Sequence, residues 1–181
     1  ITLAELCDLY LEEGASAKKA STVEMDKSRI DAHVLPLLGK KRLKQISKAD
    51  VSRFVQAVAA GATSRDVKTG PRGRSIVRGG KGVANRSLGM LGAIFEFAIE
   101  RGLVMANPAR GVRKFKEGRS ARFLSNAEIV RLGDALRTAE AEGVNSFALA
   151  AIRLLLLTGC RRNEILELKW EHVDFENGIL R

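Results

Sequence analysis

The chain has 181 residues, 45% of them apolar, and a formal net charge of +10. That length allows one or two domains with a buried core. The longest apolar run, 147–157, is interrupted by Arg153 and falls short of the roughly 20 residues that a membrane helix needs. Cys7, Cys160, His33 and His172 stand far apart in sequence, so neither a disulfide framework nor a metal site is legible. No metal, no cofactor and a reducing, cytoplasmic setting are expected. The charge is unevenly spread: residues 1–118 hold 22 Lys/Arg against 12 Asp/Glu, and residues 119–181 hold 9 of each. A basic excess confined to one part of a chain is an electrostatic footprint for nucleic acid or an anionic surface; the plainer alternative is a soluble basic protein. The chain begins at Ile1 without a signal pattern, and we read it as part of a longer polypeptide.

The opening ITLAELCDLYLEE puts Leu3, Leu6, Leu9 and Tyr10 on one helical face, with Thr2 and Glu5 spaced as a capping box. A second helix is predicted in STVEMDKSRIDAHVLPLLG, capped by Ser21 or Thr22 and closing near Pro36 and Gly39. The third, ISKADVSRFVQAVAAG, has Ser47 as N-cap, a stripe of Val51, Phe54, Val55 and Val58, and Gly61 as its stop. The next stretch, ATSRDVKTGPRGRSIVRGGKG, is rich in glycine, lacks a period and carries six basic residues against Asp66, which predicts a mobile basic loop. A fourth helix follows in VANRSLGMLGAIFEFAIERG, with Leu88, Leu91, Phe95 and Ile99 as its main stripe, before Asn107-Pro108 punctuates the chain.

Residues 109–122 read as a linker, with Arg110, Arg113, Lys114, Lys116, Arg119 and Arg122 against Glu117. Ser125 and Glu128 then form a capping box for a fifth helix, and NSFALAAIRLLLLTG reads as a buried sixth. RRNEILELKWEHVDFENGILR predicts a short helix, a turn at Asn177-Gly178 and the start of a sheet. With almost no strand expected before residue 175, the chain is mainly α. It divides into a helical basic unit (1–108), a basic linker (109–122) and a neutral unit (123–181) whose sheet has barely begun and which therefore reads as incomplete.

The stretch TGCRRNEILELKW sets an arginine beside an apolar helix. Gly159 supplies the C-cap, and Arg161, Glu164, Ile165 and Leu168 recur at helical spacing. Ile165, Leu166 and Leu168 are expected to bury the short helix, with Trp170 closing the contact. A cation at a helix start opposes the macrodipole by a few tenths of a kcal/mol and calls for a partner, either Glu164 or a bound anion. The guanidinium fork suits two oxygens of one phosphodiester. Arg162 faces about 100° away and is expected to be solvated.

The longer stretch LLLLTGCRRNEILELKWEHVDFENGIL closely resembles the first active-site box of the tyrosine recombinases, the phage-type integrases. Thr158, Gly159, Arg161, Glu164, Ile165, Leu168, Trp170 and Asp174 match its pattern. ANRSLGMLGAIFEFAIERGLVMANPARGV resembles the last helix and exit of the family's core-binding domain, and FLSNAEIVRL resembles the opening of its catalytic domain. The resemblance implies a helical, SAM-like core-binding domain followed by the first, mostly helical part of an α+β catalytic domain. It implies that Arg161 is the first catalytic arginine and that Glu164 supports the site. The parent protein would break and rejoin DNA through a tyrosine–phosphate intermediate, as a tetramer on paired sites. The family's remaining active-site groups, including its tyrosine, lie downstream of the first arginine. Tyr10, the one tyrosine here, sits upstream on an apolar stripe and reads as core, and His172 does not match the family's histidine box. This chain alone is therefore expected to bind double-stranded DNA as a monomer without cleaving it.

Candidate DNA contacts are Lys81, Asn85 and Arg86 at the start of the fourth helix, the loop residues Arg72, Arg74 and Arg78, and the linker residues Arg113, Lys114, Lys116, Arg119 and Arg122. Asn85 and Arg86 could also reach base edges. GKKRLK, at 39–44, is a further basic patch for which a solvated surface is as good a reading. Two other functions stay open from the residues: a non-enzymatic helical DNA-binding or regulatory module, and a helical interaction protein without a DNA role.

Overall fold

The computed structural model describes residues 1–16, 18–71, 73–118 and 122–180. The chain forms two compact units, Ile1–Arg119 and Ser120–Arg181, and both are mainly helical. Among the described residues no helix is long and apolar enough to cross a membrane.

Unit 1 begins with α1 (Leu3–Leu9), which opens on the expected capping box: Thr2 accepts from the Glu5 amide, and the Glu5 carboxylate accepts from the Thr2 amide at 2.7 Å. A π-helical turn, Tyr10–Gly14, extends it. Gly14 is required there, because a Cβ would lie 2.8 Å from both the Tyr10 and Phe97 rings, which meet edge-on at 5.8 Å. Helix α2 (Ala20–Arg29) runs through a second π turn (Ile30–Val34) into α3 (Leu35–Leu38). It starts earlier than the cap at Ser21 or Thr22 predicted, because the Thr22 amide already closes a turn on the Lys19 carbonyl at 2.8 Å. Helix α4 (Lys48–Ala59) has the expected Ser47 cap, with Asp50 completing the box.

The segment expected to be a mobile loop is instead an antiparallel hairpin, β1 (Arg65–Lys68) and β2 (Arg74–Val77), with Arg65 opposite Val77 and Lys68 opposite Arg74. Two four-residue strands are too short to show a period, and their glycines and proline belong to the turn between them. Arg74 clamps Asp66 across the hairpin with two bonds of 2.6 and 2.7 Å. The base is closed by the Gly79 amide, which donates to Ser64 Oγ, and fastened to α4 by the Gly80 amide, which donates to the Val58 carbonyl. Gly80, at φ +108°, then turns the chain into α5 (Lys81–Glu100).

Helix α5 packs along α4 and against α1. The core between them is closed: Leu6, Val51, Phe54, Leu91, Ile94 and Phe95 are all 2% exposed or less. Each such side chain contributes about 1.5–3 kcal/mol by leaving water, against the entropy of ordering the chain. Tyr10 is core, as expected, and its hydroxyl shares Asp26 with Lys18. Burial, with help from Asp8 and Asp31, pushes the Cys7 thiol up to about 12, so it behaves as an inert core residue.

After α5 the chain doubles back. Asn107 donates to the Gly92 carbonyl and Glu96, both at 2.9 Å, and Ala109 is buried. Val112 and Phe115 pack on the core. Residues 107–117 thus lie along α5 from Glu96 back towards its first turn, and the early part of the segment read as a linker is packed chain.

Unit 2 contains α6 (Asn126–Ala141), α7 (Ser146–Thr158), α8 (Arg162–Leu166) and a minimal hairpin, β3 (Val173–Asp174) with β4 (Ile179–Leu180). The Ser125–Glu128 box is present as expected. Helix α7, expected to be buried, is not: Leu149 is covered, but Phe147 and Leu157 are 85% and 83% exposed. Its run of leucines exceeds what α6 and α8, the elements packed on it, can cover. Ile165 is buried as expected, whereas Leu166 and Trp170 are exposed, and the indole stacks on Phe175 at 6.1 Å.

Candidate nucleic-acid interface

In unit 2 the turn before α8 presents Arg161. Gly159 adopts the left-handed conformation (φ +66°) and donates to the Leu155 carbonyl, ending α7 as its position in sequence predicts. The Thr158 hydroxyl donates to the Leu154 carbonyl at 2.7 Å and accepts from the Cys160 amide. Arg161 occupies the N-cap position of α8 with extended backbone. Glu164 accepts from two donors of that residue: the Arg161 amide at 2.7 Å and Nη1 at 3.0 Å. These two bonds hold the Glu164 carboxyl below its ordinary range, the backbone donor being the larger influence. The Arg161 side chain is nonetheless 89% exposed, so most of the fork faces solvent. Arg162 donates to its neighbour Asn163 at 3.2 Å.

In unit 1 the expected cations separate by pairing. Arg74 spends its fork on Asp66. In unit 2, Arg122 is bound to Glu128 at 2.6 Å. In the patch at 39–44, Lys41 is bound to Asp50 at 2.5 Å, while Lys40, Arg42 and Lys44 are exposed and form no ion pair among the described residues. Arg78, Lys81, Arg86, Arg113, Lys114 and Lys116 are exposed and form no ion pair among the described residues. Arg72 and Arg119 lie outside the described residues.

Asn85 departs from its expected role. It is 7% exposed, and its amide is engaged by the returning chain. Nδ2 donates to the Phe115 carbonyl at 2.9 Å and to Glu117 Oε1 at 2.6 Å, while Oδ1 accepts from the Phe115 amide at 2.8 Å. A side chain so occupied has no free edge for a base. Its bonds bring 113–117 beside the first turn of α5. A Cβ on Gly82 would lie 3.2 Å from Arg86 Nη2 and 3.5 Å from Glu117 Oε2, so the exit of the returning chain and the basic start of α5 share one place.

A family profile described as phage integrase, N-terminal SAM-like domain, matches residues 2–58, and one described as phage integrase family matches residues 122–181. The chain belongs to the phage integrase family, the tyrosine recombinases. It is 27% identical to the putative defective protein IntQ of Escherichia coli K12 and 29% identical to a shufflon-specific DNA recombinase of E. coli, in each case over 99% of this chain and 43% of the relative. Its fold is similar to that of lambda integrase, solved as a tetramer bound to a Holliday junction, with a TM-score of 0.72, 20% identity, and coverage of 97% of this chain and 46% of that one. The chain thus spans less than half the length of these relatives.

Within this integrase chain, sequence reasoning anticipated the pairing of Arg161 with Glu164 through their three-residue spacing. It missed the two asparagine clips and Glu117, whose partners are 11 to 32 residues away. The only available signal was a polar Asn85 in the first turns of an otherwise apolar helix and an Asn107 directly before Pro108. Among the described residues, no group of three His, Cys, Asp or Glu side chains is placed to hold a metal ion.

Proposed function

We propose that this chain is the DNA-binding part of a site-specific recombinase of the integrase type, in which unit 1 grips the phosphate backbone and unit 2 contributes Arg161 to the scissile phosphate. The observation that carries this reading is the pairing pattern: Arg78, Lys81, Arg86, Arg113, Lys114 and Lys116 are exposed and form no ion pair with a carboxylate among the described residues. Unpaired cations are what a polyanion recruits, through release of its condensed counterions. The start of α5 adds backbone donors to the same place. Arg74 and Arg122 are secondary contacts, since each must first release an aspartate or glutamate.

At the scissile phosphate the Arg161 fork would bind non-bridging oxygens and stabilise the charge that builds as a nucleophile attacks phosphorus. A preorganised donor of this kind is worth roughly 3–4 kcal/mol in the transition state. Glu164 fixes the arginine from below and transfers no proton. The nucleophile is not supplied by this chain, because its one tyrosine, Tyr10, is 2% exposed and hydrogen-bonded to Asp26. The complete recombinase would act as a tetramer on paired sites in the cytoplasm, breaking and rejoining DNA through a tyrosine–phosphate linkage. The lambda integrase tetramer on a Holliday junction supports the assembly.

The test is duplex binding by the 181-residue chain across a salt series. The apparent association constant should fall linearly on a log–log plot. The triple substitution Arg78→Ala/Lys81→Ala/Arg86→Ala should flatten the slope by about 2–3, at roughly 0.9 for each phosphate left without its cation. A salt-independent affinity, or an unchanged slope in the triple variant, overturns the interface. A covalent protein–DNA adduct formed by this chain overturns the assignment of Tyr10 to the core.

A further inference from the structure

The exit of the chain from unit 1 is fixed by side-chain bonds to a segment that composition alone marks as loose. Three bonds from one buried amide, that of Asn85, hold Phe115 and Glu117. At the other end Asn107 ties the chain to Gly92 and Glu96, and Arg110 adds a bond to Glu96 at 2.8 Å. Between the clips Val112 and Phe115 pack on the core, while Arg113, Lys114 and Lys116 stay exposed.

We propose that Asn85 is a positioning residue for DNA binding. With Glu117 it clips the returning chain to the first turn of α5, so that Arg113, Lys114 and Lys116 are already aligned with Lys81 and Arg86 before DNA arrives. The proposal rests on the DNA-binding reading above and adds a division of labour to it. The cations supply attraction, and the clip removes the entropy cost of ordering them. Ordering the backbone opposes binding residue by residue, so presenting several linker cations in a set conformation changes affinity without changing how many phosphates are met.

That division gives a signature. Releasing the clip lowers affinity at every salt concentration and leaves the salt slope unchanged, because the same charges still reach the backbone once bound. Removing a cation lowers the slope. The variants are Asn85→Ala and, since Asn85 is buried and its loss could weaken unit 1, Glu117→Ala at an exposed position. Both are made in the 181-residue chain. Without DNA, trypsin should cleave after Arg113, Lys114 and Lys116 about tenfold faster or more in both variants, as expected when a protected segment opens locally, with the rest of unit 1 cut at the wild-type rate. With DNA, the apparent Kd should rise about tenfold at parallel salt slope, the equivalent of ordering one or two residues.

Unchanged cleavage in both variants overturns the clip. Faster cleavage with unchanged Kd overturns its role in binding. A lower slope in Glu117→Ala, a substitution that removes no cation, overturns the entropic account. Failure of the wild-type chain to bind duplex at any salt would sink the DNA reading and with it the positioning role, while the trypsin arm would still decide whether the clip exists.

Discussion

Unit 1 closes its core around Phe54 and Phe95, which are 2% and 0% exposed, whereas unit 2 leaves Phe147, Leu157 and Trp170 at 85%, 83% and 81%. In unit 1, helices α1 to α5 enclose each other's apolar faces, and the hairpin and the returning chain are fastened to them by hydrogen bonds. In unit 2, α7 carries more apolar surface than its neighbours cover, and the short helix that bears Arg161 is anchored chiefly by Ile165. The basic surface sits on a unit with a closed core, while Arg161 sits on a turn held by local hydrogen bonds: the Gly159 cap, the Thr158 hydroxyl and Glu164.

The largest expected contrast comes from truncating one phenylalanine in each unit. Phe54→Ala should destabilise unit 1 by about 3–5 kcal/mol through reduced burial and a cavity, and Phe147→Ala should stay within about 0.5 kcal/mol, as for a solvated surface site. Urea unfolding reads both, with far-UV circular dichroism for the helices and Trp170 fluorescence for unit 2. If Phe147→Ala cost as much as Phe54→Ala, α7 would be covered in solution and the contrast would disappear.

The next contrast is in acid. Asp50 accepts from Lys41, the Ser47 amide and hydroxyl, and Arg53, with Lys41 the largest influence, and these hold its carboxyl far below the ordinary range. A depressed folded-state pKa means that the native state favours the ionised form. The stabilisation is therefore present above the unfolded value of about 3.9 and is lost as pH falls through the folded one. Thermal melting of unit 1 should be flat from neutral pH to about 5 and drop below about 4. Asp50→Asn should melt lower at pH 7 and show a shallower acid slope. An unchanged slope would mean that other carboxylates, Glu5 and Glu96 among them, carry the acid sensitivity.

The smallest contrast separates two similar caps. Ser47→Ala, in the half-buried box with Asp50, should cost about 1–2 kcal/mol, and Ser125→Ala, in the exposed box with Glu128, about 0.5 kcal/mol. Equal losses in urea unfolding would show that burial does not strengthen this cap.

Much of the fold was legible because helix starts are local. The boxes at Thr2, Ser47 and Ser125 each close within three residues, so spacing alone reveals them. Arg161 and Glu164 were legible for the same reason, and their register with Gly159 and Trp170 carried the family resemblance. The hairpin at 65–77 was not legible: its strands are short and exposed, and what defines it is pairing across the turn, including Arg74 with Asp66. Helix α7 was misjudged because hydrophobicity measures what a helix would gain by burial, and burial also needs a partner. Asn85 was misjudged because a polar residue at a basic helix start has the same composition signal whether its amide meets a base or the chain's own backbone.

By itself the sequence determined the helical order, the basic and neutral halves, and a turn that must present an arginine, because each depends on composition or on bonds spanning one helical turn. Only the tertiary structure decided which cations are unpaired, that Asn85 faces inward, and where the chain leaves unit 1. Those outcomes depend on groups 8 to 32 residues apart meeting in space, and no local period encodes that meeting.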